Sequence, residues 1–190
     1  MTLHITRKCI RNTRQYSIQE NNHIKGTANE TREFSLSRIF VYDDDACVLA
    51  ARQDDPSKRF QPFLTLKNAL GRRFVPYKIY TGQNLIGRSA PLKLGQDHNF
   101  SIDGCIYRCV IHSHGFISFW KDGIQVALSF SEFGLGRYTV QYDPFHEKAE
   151  HILLLFCMVI DALEFPNLGK YIIIGFDKSM DYALKWKPKS

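Results

Sequence analysis

The chain is short of the signals that most readily betray a function. Its longest uninterrupted apolar run is nine residues, ILLLFCMVI at 152–160, and a membrane-spanning helix needs about twenty. The opening residues mix His, Arg, Lys and Asn with isolated apolar positions, so no secretory leader is expected. Gly-x-Ser-x-Gly, His-Glu-x-x-His and the other recognised catalytic signatures are missing, which removes the common hydrolase and metalloprotease readings. Ser/Pro-rich linkers, internal repeats and low-complexity tracts are absent too, leaving no domain boundary to place. The five cysteines are odd in number and scattered, a pattern of free thiols in a reducing compartment. A cytoplasmic chain without cofactor or metal, at most peripheral to a membrane, is the resulting expectation.

What is present is a strand-rich domain with one buried helix. With 190 residues, 44% hydrophobic and 23% charged, residues 1–190 suit a single globular domain. Short runs alternate apolar and polar residues at 4–10, 16–20, 23–28, 35–42, 47–52, 63–67, 74–81, 84–88, 99–102, 105–112, 116–121, 124–130 and 137–142, as half-buried strands do. Asn21-Asn22, Asp43-Asp44-Asp45, Asp103-Gly104 and Asp122-Gly123 separate them, the last as the two-residue loop of a type I′ hairpin. Along 124–131, Ile124, Val126, Leu128 and Phe130 share one face and Gln125, Ala127, Ser129 and Ser131 the other. The expectation is that the first set faces the core and the second faces solvent.

Asp143-Pro144 reads as a helix start and Pro166 as its stop, which predicts a helix over about 145–165. A helix apolar on every side must be enclosed. A two-layer sandwich has no room for it, whereas a wide closed barrel does, and closure also removes exposed sheet edges. The predicted fold is therefore mostly β, an antiparallel closed barrel around a central hydrophobic helix. Residues 166–190 form a C-terminal extension, with one more strand at 171–176 and a basic tail from Lys185.

The order of SRIFVYDDDACVLAARQD, NLIGR, IDGCIYRC, FWKDGIQVALS and YTVQYDPFHEKAEHILLLFCMVIDAL resembles the superfamily of Tubby C-terminal domains, plant LURP-one-related proteins and phospholipid scramblases. The resemblance covers roughly residues 15 to 165, and its most specific piece is the Lys-Asp-Gly hairpin followed by a Tyr-containing strand and the apolar helix. It implies a twelve-stranded barrel threaded by a helix, and a lipid-facing or protein-binding role rather than catalysis. The Lys-x-Arg pair with which Tubby proteins hold a phosphoinositide headgroup has no counterpart in this sequence.

A net charge of +6 favours anionic partners. The basic residues fall into groups at Arg7, Lys8, Arg11 and Arg14, at Lys67, Arg72, Arg73 and Lys78, and in the tail at Lys185, Lys187 and Lys189. The first two groups are candidate ligands for an anionic phospholipid headgroup, and a solvated face is their plain alternative. Nucleic acid is the second partner considered, with Phe116, Phe119 and Trp120 available to stack bases; a carrier for a small apolar molecule is the third. His112 with His114, and Cys105 with Cys109, pair on opposite faces of one strand without the spacing of a metal site. Asp43, Asp44 and Asp45 lack the Gly and Glu of a calcium loop, and Gly134-Leu135-Gly136 lacks the Lys-Ser/Thr of a phosphate loop. Asp161, directly after the apolar run, must find hydrogen-bond donors if it is buried. Its expected role is structural, at one end of the barrel.

Overall fold

A computed structural model describes residues 1–10, 13–33, 36–53, 76–90, 97–112, 115–132, 136–143, 149–164 and 185–187. Twelve strands follow one another in a closed antiparallel meander: β1 (Thr2–Ile10), β2 (Thr13–Glu20), β3 (His23–Glu33), β4 (Leu36–Asp43), β5 (Ala46–Gln53), β6 (Tyr77–Thr81), β7 (Asn84–Ser89), β8 (His98–Ile102), β9 (Cys105–Ile111), β10 (Phe116–Lys121), β11 (Ile124–Glu132) and β12 (Arg137–Tyr142). Each pairs with its chain neighbours, and β1 closes the ring on β12 through Thr2 opposite Gln141 to Thr6 opposite Arg137. The expected strands at 63–67 and 171–176 lie outside the described residues.

Five two-residue turns, at 21–22, 44–45, 82–83, 103–104 and 122–123, sit at one end of the barrel. Their chemistry explains them. Asn21, Asn22, Asp44, Asp45, Asp103, Gly104, Asp122 and Gly123 all adopt positive φ, the paired left-handed conformation of type I′ turns that match strand twist. Four of the five hairpins then slip by one residue: between Ile18 and Gln19, Val41 and Tyr42, Ile79 and Tyr80, and Phe119 and Trp120. Such bulges add local twist, which helps a sheet close on itself.

The helix α1 (Ala149–Glu164) fills the lumen. A barrel of eight strands holds only side chains, so twelve leave room for a helix about 10 Å across. From Leu153 to Asp161 no residue is more than 3% exposed. At mid-height Phe156 stacks on Phe100 of β8 at 4.2 Å between ring centroids and meets Tyr107 of β9 edge-on at 5.4 Å. His151 approaches Asp43 at the turn end, at 3.7 Å, and Asp161 lies near the opposite end among residues of β1, β2 and β12. Asp143 extends the sheet by donating its backbone N–H to the Val126 carbonyl, and the helix start read from sequence after it, at 144–148, lies outside the described residues.

The two faces of β11 are the reverse of the expected arrangement. From Ala127 on, Ala127, Ser129 and Ser131 point inward and are at most 3% exposed, while Phe130 on the outer face is 40% exposed; the bulge turns Gln125 outward, opposite Trp120. Space decides it: the wall must come close to a helix already carrying large side chains, and small inner residues such as Ala127 and Ser129 permit that approach. Cys157 of the helix lies against Ser129, and burial pushes its thiol up to about 12.

Candidate anion-binding face

Two groups of charges define the end of the barrel away from the tight turns, one inside the wall and one outside. The inner group is built on Asp161. One Arg7 nitrogen donates to both carboxylate oxygens, at 2.5 and 2.7 Å. Arg14 donates to Oδ2 and to the Asp161 carbonyl, both at 3.1 Å, and Tyr16 donates its hydroxyl to Oδ2 at 2.8 Å. Tyr138 donates to Oδ1 from the opposite side. Arg14 also pairs with Glu30 at 3.2 Å, and Glu30 accepts from the Ser37 hydroxyl.

Charge in this group balances, with two guanidiniums set against two carboxylates. Burial alone would weaken the charged form of Arg7 and Arg14, yet Asp161, with Glu30 for Arg14, more than offsets it and leaves both pKa values raised. Burial first, then the Asp161 charge, pushes the Tyr16 and Tyr138 phenols well above their ordinary value, so both remain donors. A carboxylate in a dry lumen is tolerable only with this density of partners. Gly136 makes the approach of Arg7 possible: it stands at φ +64, and a Cβ there would lie 2.6 Å from Arg7 Nε.

The outer group was not anticipated. Across four consecutive strands Arg38 of β4 stands opposite Arg52 of β5, Arg52 opposite Lys78 of β6, and Lys78 opposite Arg88 of β7. Ile39, Ala51 and Ile79, which alternate with these residues, are fully buried in the lumen, so the cations share the outer face. At about 4.8 Å per strand the row is roughly 14 Å long. Lys78 and Arg88 are exposed, and Arg38 and Arg52 half-buried. The Arg52 guanidinium lies 5.6 Å from the Phe40 ring centroid and 5.3 Å from that of Tyr80, and its buried Nε has no hydrogen-bond partner among the described residues. Like charges placed directly opposite one another destabilise a sheet. Lys78 stands between Arg52 and Arg88, and an anion there would relieve both like-charge pairs.

The structure separates the basic residues proposed from sequence. Arg7 and Arg14 do not belong to a surface group: with side chains 6% and 10% exposed and bound to Asp161, they are fixed inside the wall and closed to a headgroup. Lys8 and Lys78 are exposed, and Lys78 alone joins the row. Arg11, Lys67, Arg72 and Arg73 lie outside the described residues, as do Lys189 and His114. Phe119, considered for base stacking, is fully buried in the lumen. Trp120 donates to Ser118, whose hydroxyl also meets His112 at 2.8 Å, and Phe116 packs on Phe130. Asp44 and Asp45 form a plain turn. Among the described residues no three His, Cys, Asp or Glu side chains gather as metal ligands, and no helix is long and apolar enough to cross a membrane.

Arg38, Arg52 and Arg88 carried one sequence signal, a cation on each of four successive strands, but counting outward from the turns misplaces them. An unbulged 44–45 hairpin would set Arg38 against Ala51, and an unbulged 82–83 hairpin would set Lys78 against Gly87; the bulges move the partners to Arg52 and Arg88. Comparison of the chain with protein-family models, with curated proteins and with solved structures finds no match.

Proposed function

We propose that this barrel is a non-enzymatic binding module that holds anionic phospholipid at a membrane surface through the outer face of β4–β7, as a peripheral protein of the cytoplasmic side. The observation that carries the reading is the row Arg38, Arg52, Lys78 and Arg88 in direct register. Such a row concentrates positive charge on one flank, and each basic residue near a negative leaflet contributes on the order of 1 kcal/mol. Beside it Phe40 and Tyr80 provide an aromatic border of the kind that sits at headgroup depth. The likeness in motif order to Tubby, LURP-one-related and scramblase domains agrees with a lipid-facing role.

Single-stranded nucleic acid would use the same cations but needs open ring faces for bases. Phe40 and Tyr80 already have the Arg52 guanidinium against them, which favours the headgroup over the base. A lumen ligand is disfavoured because α1 takes the space.

Co-sedimentation with vesicles of phosphatidylcholine alone or mixed with phosphatidylserine tests the reading. Binding to the acidic vesicles only, lost in a Lys78→Glu/Arg88→Glu double variant, is expected. Equal partition with both vesicle types, or undiminished binding by the variant, would sink it.

A further inference from the structure

The cation row has an apolar row beside it on the same outer face. Nearer the tight turns, Phe40 of β4 stands opposite Ala50 of β5, Ala50 opposite Tyr80 of β6, and Tyr80 opposite Leu85 of β7. Successive residues on one face are about 7 Å apart along a strand, so the two rows run side by side at that spacing. On β4–β6 the apolar row is already filled. The Arg52 guanidinium reaches back to both the Phe40 and Tyr80 rings, and Ala50, between those rings by register, is 4% exposed. Leu85 ends the row and is 59% exposed.

The bulge in the 82–83 hairpin puts Leu85 there. Ile79 faces Gly87 and Tyr80 faces Leu85, which makes Ile86 the extra residue; Ile86 packs against the core, and Leu85 is left on the outer face with Tyr80. The β6–β7 hairpin therefore carries a cation pair, Lys78 with Arg88, and next to it an aromatic–aliphatic pair, Tyr80 with Leu85. Its turn, Thr81-Gly82-Gln83-Asn84, holds no charged residue, whereas Asp44 and Asp45, Asp103 and Asp122 occupy three of the other four turns. An acidic leaflet would repel those three tips and not this one. The face ends at β8, where Asp103 donates its backbone N–H to the Ile86 carbonyl.

We infer that Leu85 is a membrane anchor: with the β4–β7 flank against an acidic leaflet, its side chain enters the acyl-chain boundary, Tyr80 stays at headgroup depth, and Lys78 and Arg88 reach lipid phosphates. The inference rests on the lipid-binding reading and adds an apolar component to it. Attachment by cations alone is screened by salt beyond a Debye length of about 8 Å, whereas burial of apolar surface draws on the hydrophobic effect and is not screened in this way. Tyr and the long basic side chains suit the boundary because each is apolar along its body and polar at its tip. Leu has no polar atom and gains only by passing below it. The occupant is a leaflet rather than a protein because the neighbouring row is all cation and Leu85 projects singly at its edge. A fluid layer accepts one such side chain, while a protein interface is built round a broader apolar core.

Vesicles of phosphatidylserine mixed with phosphatidylcholine, the latter with brominated or unbrominated acyl chains, test the anchor. Two variants carry the probe: Leu85→Trp, and His4→Trp on the exposed outer face of β1, six strands round the ring from β7. With the emission of Trp120 and Trp186 subtracted by means of the wild-type chain, the Leu85→Trp signal should move to shorter wavelength on binding and be quenched by acyl-chain bromine. The His4→Trp signal should do neither. Leu85→Asn should weaken co-sedimentation about tenfold with the melting temperature unchanged, because the position is exposed, and Leu85→Phe should bind as wild type does. Binding of Leu85→Asn at wild-type strength, or equal bromine quenching at positions 85 and 4, overturns the anchor and leaves the headgroup reading standing. Absence of binding by the wild-type chain overturns that reading and the anchor with it.

Discussion

Arg7 and Asp161 stand 154 positions apart in the chain, and a single Arg7 nitrogen bridges both carboxylate oxygens of Asp161 where α1 reaches the far end of the barrel. The contact ties the first strand to the last turn of the central helix. Removing one member of a buried ion network strands the others, typically at a cost of about 3–5 kcal/mol. Asp161→Asn keeps the shape and removes the charge, and urea denaturation should show a loss of that order. An unchanged midpoint would mean that the network contributes little.

The phenols of the same network predict the alkaline limit of stability. Burial, and next the Asp161 charge, hold Tyr16 and Tyr138 well above the ordinary phenol value of about 10 in the folded chain. Below about pH 10 neither folded nor unfolded chain has ionised them, and their contribution is fully present. Above it the unfolded chain releases those protons first, so stability falls as pH rises toward the folded values. Of the nine tyrosines, these two should yield tyrosinate absorbance only in step with loss of the near-ultraviolet circular dichroism. Their ionisation in the still-folded chain would contradict the burial seen here.

Gly136 should be intolerant of a side chain. Ala at φ +64 is strained, and its Cβ would displace the Arg7 side chain from Asp161, at a combined cost of roughly 1–3 kcal/mol. A chemical denaturation midpoint equal to that of wild type would refute this. In the double variant Gly136→Ala/Asp161→Asn the two losses should fall short of additive, since both act on one contact.

The outer cations should behave in the opposite manner. Lys78→Glu places a carboxylate between Arg52 and Arg88 and converts two like-charge pairs into attractive ones. Thermal stability should hold or rise, by up to about 1 kcal/mol, while acidic-vesicle binding drops. A clear fall in melting temperature would make the row a structural feature.

The two faces of β11 offer the simplest test of which side is inside. Ala127→Leu forces bulk against α1 and should cost about 1–3 kcal/mol, whereas Phe130→Ser, 40% exposed on the outer face, should cost less, about 1 kcal/mol or under. Thermal denaturation of the two variants compares them directly; the reverse order would restore the orientation expected from hydrophobicity.

The sequence by itself determined the local elements and, through one segment, the architecture. Alternation marks strands because side chains on a pleated chain switch faces at every residue, and Asp103-Gly104 and Asp122-Gly123 mark hairpins because few residues accept positive φ. Nine apolar residues in a row require enclosure, and a strand-rich chain of this size can supply it only by closing. Asp161 was legible as a residue in need of partners, although their identity was not. The partners were decided by the closed ring, which brings Arg7, Arg14 and Tyr138 to one helix end from distant points of the chain. Only the tertiary structure set the cation row, because a one-residue bulge in each of two hairpins moves every later partner and no periodicity records it. The inward face of β11 was likewise settled in three dimensions: the helix brings its own apolar bulk, so the wall beside it needs small residues more than hydrophobic ones.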